Sequence, residues 1–282
     1  MAQNNKVWFV TGASKGLGLE IVRAALAAGA KVVGAVRDHV GDLYDTLDHH
    51  ENLLVVQLDV TSEDQAQKAV SITMEKFGRI DVLVNNAGYS LLSAVEEASD
   101  EEARKQFDTN VFGVLNVLRA VLPVLRKQRS GHIINISALY GFAVSLPGYG
   151  IYGATKFAVE AITEGLSIEL APLGIKATVV EPGMFTTSLL DKSSMRESKV
   201  IMEDYAATVG RIRSVIGSFN GTQPGDPVKF GKAIVALATS NNPPGHLPIG
   251  RDAAEVYRVK AALMAAELAQ WKEITESTDH AK

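Results

Sequence analysis

The sequence predicts an α/β fold in which a doubly wound parallel sheet is covered by helices. Three observations point there. Short apolar runs alternate with amphipathic stretches along most of the chain. The runs are continuously apolar, the pattern of strands buried on both faces. The stretches between them open and close with helix signals.

The elements follow in order. Apolar runs at 7–10, 31–36, 53–58, 82–85, 133–137 and 175–180 are the expected strands. The first helix begins at Leu17 and stops at Gly29, a residue that readily takes the left-handed turn ending a helix. Thr61-Ser62-Glu63-Asp64 opens the next helix and Gly78 ends it. Ser99 and Glu102 form a capping box for a helix running toward Arg129. The alternation breaks at Glu181-Pro182-Gly183. Residues 184–228 are polar with scattered apolar side chains, and their place after a strand end suggests a lid. A helix at 229–240, a short strand at 247–250 and a helix at 253–272 follow. The expected organisation is a single domain, with a core at 5–183, the lid at 184–228 and a helical extension at 251–282.

Composition narrows the function. Of the 282 residues 46% are hydrophobic and 21% charged, as in an ordinary globule. A net charge of −4 gives no bulk attraction for nucleic acid or an anionic membrane, and neither is expected as a partner. The absence of cysteine excludes disulfides, zinc–thiolate sites, iron–sulfur clusters and a thiol nucleophile. None of the six histidines forms a metalloprotease-like helical pair, so no metal site is expected. Residues 131–155 carry no Asp, Glu, Lys or Arg over a length that would span a bilayer, but Asn135, Ser137, Pro147 and five glycines favour a strand and a pocket loop. The chain starts almost directly in an apolar run, so no secretory leader is expected and a cytoplasmic location is.

Chemistry concentrates in a few motifs. Thr11-Gly12-Ala13-Ser14-Lys15-Gly16-Leu17-Gly18 joins the first strand to the first helix. Its glycines let backbone approach a pyrophosphate, and the helix N-terminus offers free N–H groups and a positive dipole end. Tyr152 and Lys156 lie four apart, on one face of a helix. A phenol titrates near pH ~10, and a neighbouring ammonium favours its ionised form. The pair is thus a candidate proton donor and acceptor.

These motifs, with two others in order, resemble the short-chain dehydrogenase/reductase family. The glycine loop is similar to its TGxxxGxG, Asn85-Asn86-Ala87-Gly88 to its NNAG, Tyr152 to Lys156 to its YxxxK, and Pro182 to Thr187 to its PGxxxT. The resemblance covers roughly residues 5–250. It implies a Rossmann-type fold and a nicotinamide cofactor held by Gly12, Ser14, Lys15, Gly16, Leu17, Gly18, Asp59, Val60, Asn86, Ala87, Gly88, Pro182, Gly183, Phe185 and Thr187. It also implies hydride transfer to a carbonyl carbon. Tyr152 would protonate the oxygen, Lys156 would hold the nicotinamide ribose and lower the Tyr152 pKa, and Asn110 would help hold a proton-relaying water. Assembly as a homodimer or homotetramer is a further implication.

Two departures matter. The family commonly reads Asn-x-Ser-Ser after its fifth strand and uses the second serine to hold the substrate oxygen. Here the residues are Asn135-Ile136-Ser137-Ala138. Ser137 is the first candidate, Ser145 the second, and Tyr152 acting alone the third. At the end of the second strand Val36 stands where NAD-binding members carry an acid, and Arg37 follows. With Lys15, Arg37 describes a pocket for a 2′-phosphate, so NADP (NADPH) is the expected cofactor. The leading expectation is an NADP-dependent carbonyl reductase or alcohol dehydrogenase with a small apolar substrate. The alternatives are reduction of an imine or enoyl bond, a dehydratase, or a catalytically silent NADP-sensing protein. The lid's Met184, Phe185, Leu189, Leu190, Met195, Ile201, Met202 and Tyr205, with Tyr89, Tyr140, Phe142 and Tyr149, are candidates for an apolar pocket.

Overall fold

The structure, a computed structural model, describes residues 6–187 and 194–280. Its elements are β1 (Val7–Thr11), α1 (Gly16–Ala27), β2 (Lys31–Val36), α2 (Val40–Thr46), β3 (Leu53–Gln57), α3 (Glu63–Phe77), β4 (Val82–Asn85) and β5 (Ser90–Leu92). Then come α4 (Asp100–Phe107), α5 (Gly113–Gln128), β6 (Gly131–Ile136), α6 (Leu139–Phe142), α7 (Gly150–Leu170), β7 (Ile175–Pro182) and β8 (Met195–Glu197). The rest are α8 (Arg211–Ile216), α9 (Pro227–Thr239), β9 (His246–Ile249), α10 (Arg251–Gln270) and α11 (Lys272–Glu276).

Seven strands pair in parallel in the order β3-β2-β1-β4-β6-β7-β9. The chain winds outward from β1 to β3, then crosses to β4 and winds the other way. That reversal opens a crevice at the carboxyl ends of β1 and β4, where such sheets bind ligands. The continuous apolar runs have their expected cause. Trp8 and Val10 point into one core layer, with Ile21, Phe230 and Ile234 of α1 and α9. Val7 and Phe9 point into the other, with Val117, Val121, Val159 and Leu166 of α5 and α7.

The helix signals hold in detail. Ser62 Oγ accepts from the Gln65 amide, Gly78 closes α3 at φ +73°, and Ser99 with Glu102 makes the reciprocal capping box. Differences fall on short elements. The α2 helix and the two-stranded β5–β8 sheet have no counterpart in the sequence reading, since strands of three residues are too short to show a period. β6 ends at Ile136, which leaves Ser137 beyond the strand. Residues 131–155 divide into β6, a turn, α6 and the start of α7. Instead it is the helical stretch Asp100–Gln128 that is long and apolar enough to cross a membrane by composition, and half of its apolar window is buried. Its Val117, Leu118, Val121 and Leu125 pack on the sheet.

Of the expected lid, residues 184–187 and 194–228 are described; Leu189 and Leu190 lie outside the described residues. The later part is fastened to the body. β8 pairs with β5, and the Arg213 guanidinium donates to both oxygens of the buried Glu97 carboxylate (3.1 and 2.6 Å). The amides of Ala94 and Met202 donate to the same carboxylate, which holds it down at a pKa of about 2, the Arg213 bond being the largest cause.

Candidate active site

The cleft lies over the carboxyl ends of β1, β4, β6 and β7 and encloses about 860 Å³, toward the large end of small-molecule and cofactor sites. One wall is the glycine loop. Gly12 (φ +65°) and Gly16 (φ +58°) adopt backbone angles that side chains disfavour. Asn86 locks the loop: its Nδ2 donates to Thr11 O (3.0 Å) and Gly12 O (3.1 Å). The Thr11 hydroxyl accepts from the Asn86 and Ala87 amides in return. The N-cap residue Lys15 makes no side-chain capping bond to α1, and the first residues of the helix, Gly16 and Leu17, line the cleft beside Ser14 and Lys15. Gly18 corrects an expectation. It is buried behind the loop, where a Cβ would stand 2.2 Å from Gly12 O, so it permits the loop to close and does not face the cleft.

The other expected contacts gather on the same cavity: Arg37, Asp59, Val60, Asn86, Ala87, Gly88, Pro182, Gly183, Phe185 and Thr187 all line it. Arg37 is exposed at the end of β2 and paired with Asp38, Nε to Oδ2 at 2.8 Å, a contact that raises its pKa. The Pro182–Met184 turn depends on a residue that the sequence reading missed. Asp252, in the first turn of α10, accepts from the Met184 amide at 2.6 Å. A Cβ on Gly183 would collide with that carboxylate at 2.0 Å. No local signal marks the partnership, because the two residues lie 68 apart in sequence.

Behind the cleft a buried ladder ties the motifs together. Asn85 Nδ2 donates to Asn135 Oδ1 (2.9 Å), and Asn135 Nδ2 donates to Thr163 Oγ1 (2.8 Å), joining β4, β6 and α7. Asn110 sits in a π-helical turn at 108–112 between α4 and α5. Its amide donates to Tyr89 O (2.9 Å) and Thr155 Oγ1 (3.1 Å), and its oxygen accepts from the Tyr89 amide (3.1 Å). It therefore clasps the chain just beyond Gly88 and does not itself line the cleft. A Cβ on Gly88 would stand 3.1 Å from Asn110 Oδ1 and 3.8 Å from Lys156 Nζ, so glycine keeps the space between them open.

Tyr152 and Lys156 both line the cleft and are both buried. Lys156 Nζ donates to Ile136 O at 2.9 Å and lies 5.8 Å from the centre of the Tyr152 ring. The phenol's pKa moves against the expected lowering. Burial pushes the Tyr152 hydroxyl well above its ordinary value, with Tyr149 adding to the rise. Burial also lowers Lys156 to about 8, against an opposing pull from Glu160. Desolvation thus outweighs the pairing of phenol and ammonium.

Of the two serine candidates, Ser137 lines the cleft with Tyr152 and Lys156. Ser137 turns its hydroxyl inward, toward Lys156 O at 3.4 Å and the side of Glu160. Ser145 is exposed and does not line the cleft. Ser137 follows β6 directly and Ala138 precedes α6, and both line the cavity. Of the expected apolar pocket, Met184, Phe185, Tyr89, Tyr140 and Tyr149 line the cavity; Phe142, Met195, Ile201, Met202 and Tyr205 do not. Leu146, Ile216 and Gln223 join it without having been foreseen.

Beneath Lys156 lies a further cluster. His246 Nδ1 is 3.0 Å from Glu181 Oε1 and 3.3 Å from Glu160 Oε2, and its Nε2 is 3.1 Å from Glu164 Oε1. Tyr257 donates to Glu181 Oε1 at 2.8 Å. Burial and the second carboxyl raise Glu160 to about 8, and burial raises Glu181 against the hydrogen bond from Tyr257. The donor atoms of Glu160, Glu181 and His246 fall within 4.8 Å of one another, close enough for one cation to bridge. The imidazole and phenol hydrogen-bond only Glu181 Oε1, while both Glu160 oxygens and Glu181 Oε2 are buried without a hydrogen-bond partner among the described residues. The sequence reading found no such group because its members come from α7, β7 and β9.

Comparison with known proteins agrees with this geometry. Residues 6–198 match the family described as short chain dehydrogenase. A 3-ketodihydrosphingosine reductase from Bacteroides thetaiotaomicron is 37% identical over 250 residues, covering 87% of this chain and 88% of that protein. The crystal structure of a short-chain dehydrogenase from Streptomyces avermitilis superposes with a TM-score of 0.89 at 38% identity, covering 98% of this chain and 99% of that one. A structure of ElxO with NADP bound is 30% identical with a TM-score of 0.71, covering 87% and 97% of the two chains.

Proposed function

The chain belongs to the short-chain dehydrogenase family and is an oxidoreductase, and on that premise we propose that it interconverts a carbonyl compound and an alcohol with NADP(H), Tyr152 acting as general acid and base. The observation that carries the reading is the placement of Tyr152 and Lys156 on one cavity with the glycine loop.

The residues present fit a nicotinamide dinucleotide. The positive-φ glycines and the start of α1, which has no side-chain capping bond from Lys15, suit a pyrophosphate. In this reading Asp59 and Val60 meet the adenine, Arg37 and Lys15 a 2′-phosphate, and Lys156 the nicotinamide ribose. When bound, the dinucleotide supplies or accepts the hydride. Tyr152 donates its proton to the carbonyl oxygen, and its raised pKa keeps that proton in place until charge develops there. Lys156, anchored on Ile136 O, favours the phenolate that remains. The keto-group named for the Bacteroides relative and the NADP named for ElxO support carbonyl chemistry and the phosphorylated cofactor.

The test follows NADPH absorbance with a panel of cyclic, aryl and long-chain ketones and aldehydes. Wild type oxidises NADPH with at least one of them. Tyr152→Phe loses about 10²–10⁴-fold in kcat, the usual contribution of a positioned acid, while NADPH affinity stays within about threefold, because the ring remains. Ala138 favours one rival, a protein that binds NADPH without turnover; tight binding with no oxidation across the panel decides for it.

A further inference from the structure

A carbonyl oxygen that is becoming an alkoxide accepts two hydrogen bonds, and Tyr152 provides one. The second donor must face the same part of the cavity. Only two rings pack on Tyr152 among the described residues: Tyr140, centroids 6.1 Å apart at 77°, and Tyr149, 6.3 Å apart at 66°. The Tyr149 hydroxyl turns to Met195 Sδ at 4.0 Å. Ser137 lines the cavity, but its hydroxyl is engaged with Lys156 O at 3.4 Å, and position 138 is alanine. The Tyr140 hydroxyl has no hydrogen-bond partner among the described residues, and Tyr140 lines the cavity.

We propose that Tyr140 is a further catalytic residue, whose hydroxyl holds the substrate oxygen beside Tyr152. This inference rests on the carbonyl–alcohol reading above.

The ring is fixed for the task. It stacks on Tyr149 with centroids 4.6 Å apart and planes 12° apart. Phe142, two residues on, stacks on Tyr257 of α10 at 3.8 Å and 10°, which pins the short α6 that carries Tyr140. Burial raises the Tyr140 pKa well above its ordinary value, so the phenol remains a donor across the working range. Tyr140 and Tyr152 then divide the work. Tyr152, with the Lys156 ammonium 5.8 Å from its ring, transfers the proton. Tyr140 keeps its own proton and donates a bond that strengthens as negative charge grows.

The experiment compares wild type, Tyr152→Phe, Tyr140→Phe and Tyr140→Phe/Ala138→Ser on a ketone from the panel that wild type reduces. Tyr140→Phe keeps both ring stacks and loses only the hydroxyl. The expected loss is about 10- to 100-fold in kcat, with KM and NADPH affinity within about threefold. The double variant recovers at least a third of the lost logarithm of kcat, because a serine at 138 supplies a hydroxyl from the neighbouring position. A Tyr140→Phe enzyme within threefold of wild type overturns the assignment, as does a loss in KM alone or one that the serine does not recover. If wild type reduces nothing in the panel, or Tyr152→Phe retains its rate, the carbonyl reading itself has failed, and the inference falls with it.

Discussion

The two walls of the cleft are made of different material. On the side of β1 and β4 the surface is largely backbone: Gly12, Gly16, Ala87 and Gly88, held by bonds from Asn86 and Thr11. On the side of α6, β8 and α8 it is largely side chain: Tyr140, Leu146, Tyr149, Arg196, Ile216 and Gln223. The first wall rests on the main sheet and its ladder of buried asparagines. The second rests on short elements, a two-stranded sheet and one carboxylate, Glu97. A backbone wall accepts any ligand that offers the right phosphate geometry and tolerates almost no added atom. A side-chain wall can change with each substitution, which suits it to choosing a substrate.

The largest effect is expected where the side-chain wall is fastened. Arg213→Ala leaves the Glu97 carboxylate buried without its cation, a change that costs about 3–5 kcal/mol. Chemical denaturation of the two proteins measures it, and a loss below 1 kcal/mol would show that the wall does not depend on this pair. The same pair makes an acid-sensitive contribution. Glu97 titrates at about 2 when folded against an ordinary 4.5, so its stabilisation is complete above pH 4.5 and disappears as the pH falls through 2. Wild type should therefore lose more stability between those limits than Arg213→Ala does.

Next comes a matched pair of glycines. Gly18→Ala puts a methyl 2.2 Å from Gly12 O, whereas Gly217, beside α8, has nothing within 4 Å of such a methyl. Overpacking of this kind costs about 1–3 kcal/mol. Gly18→Ala should lower Tm and weaken NADPH at least tenfold, while Gly217→Ala should leave both unchanged. Equal effects at the two sites would erase the distinction between the walls.

The smallest effect concerns a charged side chain beside the backbone wall, Arg37. Arg37→Ala should weaken NADPH about 10- to 150-fold, the loss of a charge-assisted phosphate contact, and barely alter NADH. Asp38→Asn, which releases Arg37 from its 2.8 Å contact, should strengthen NADPH a few-fold. Titrating both cofactors against wild type and the variants checks this, and a wild type that prefers NADH would reverse the assignment.

The sequence by itself determined the sheet, the order of its helices, the glycine loop and the Tyr152–Lys156 pair. Each is set by local physics: a continuous apolar run for a buried strand, a cap for a helix end, glycine where φ is positive, a spacing of four for one helical face. Only the tertiary structure decided where the hydroxyls near Tyr152 turn, that of Ser137 to Lys156 O and that of Tyr149 to Met195 Sδ. Ser137, Tyr140, Ser145 and Tyr149 are neighbours in sequence, and their directions depend on where β6 stops, how α6 turns and which ring each meets. It alone also put Asp252 under the Pro182–Met184 turn, His246 against Glu160 and Glu181, and Arg213 on Glu97. Those partners come from distant elements, and burial sets their charge more than adjacency does. Desolvation raises Tyr152 although a lysine lies one turn away, because removing water from the phenolate costs more than the shielded ammonium returns.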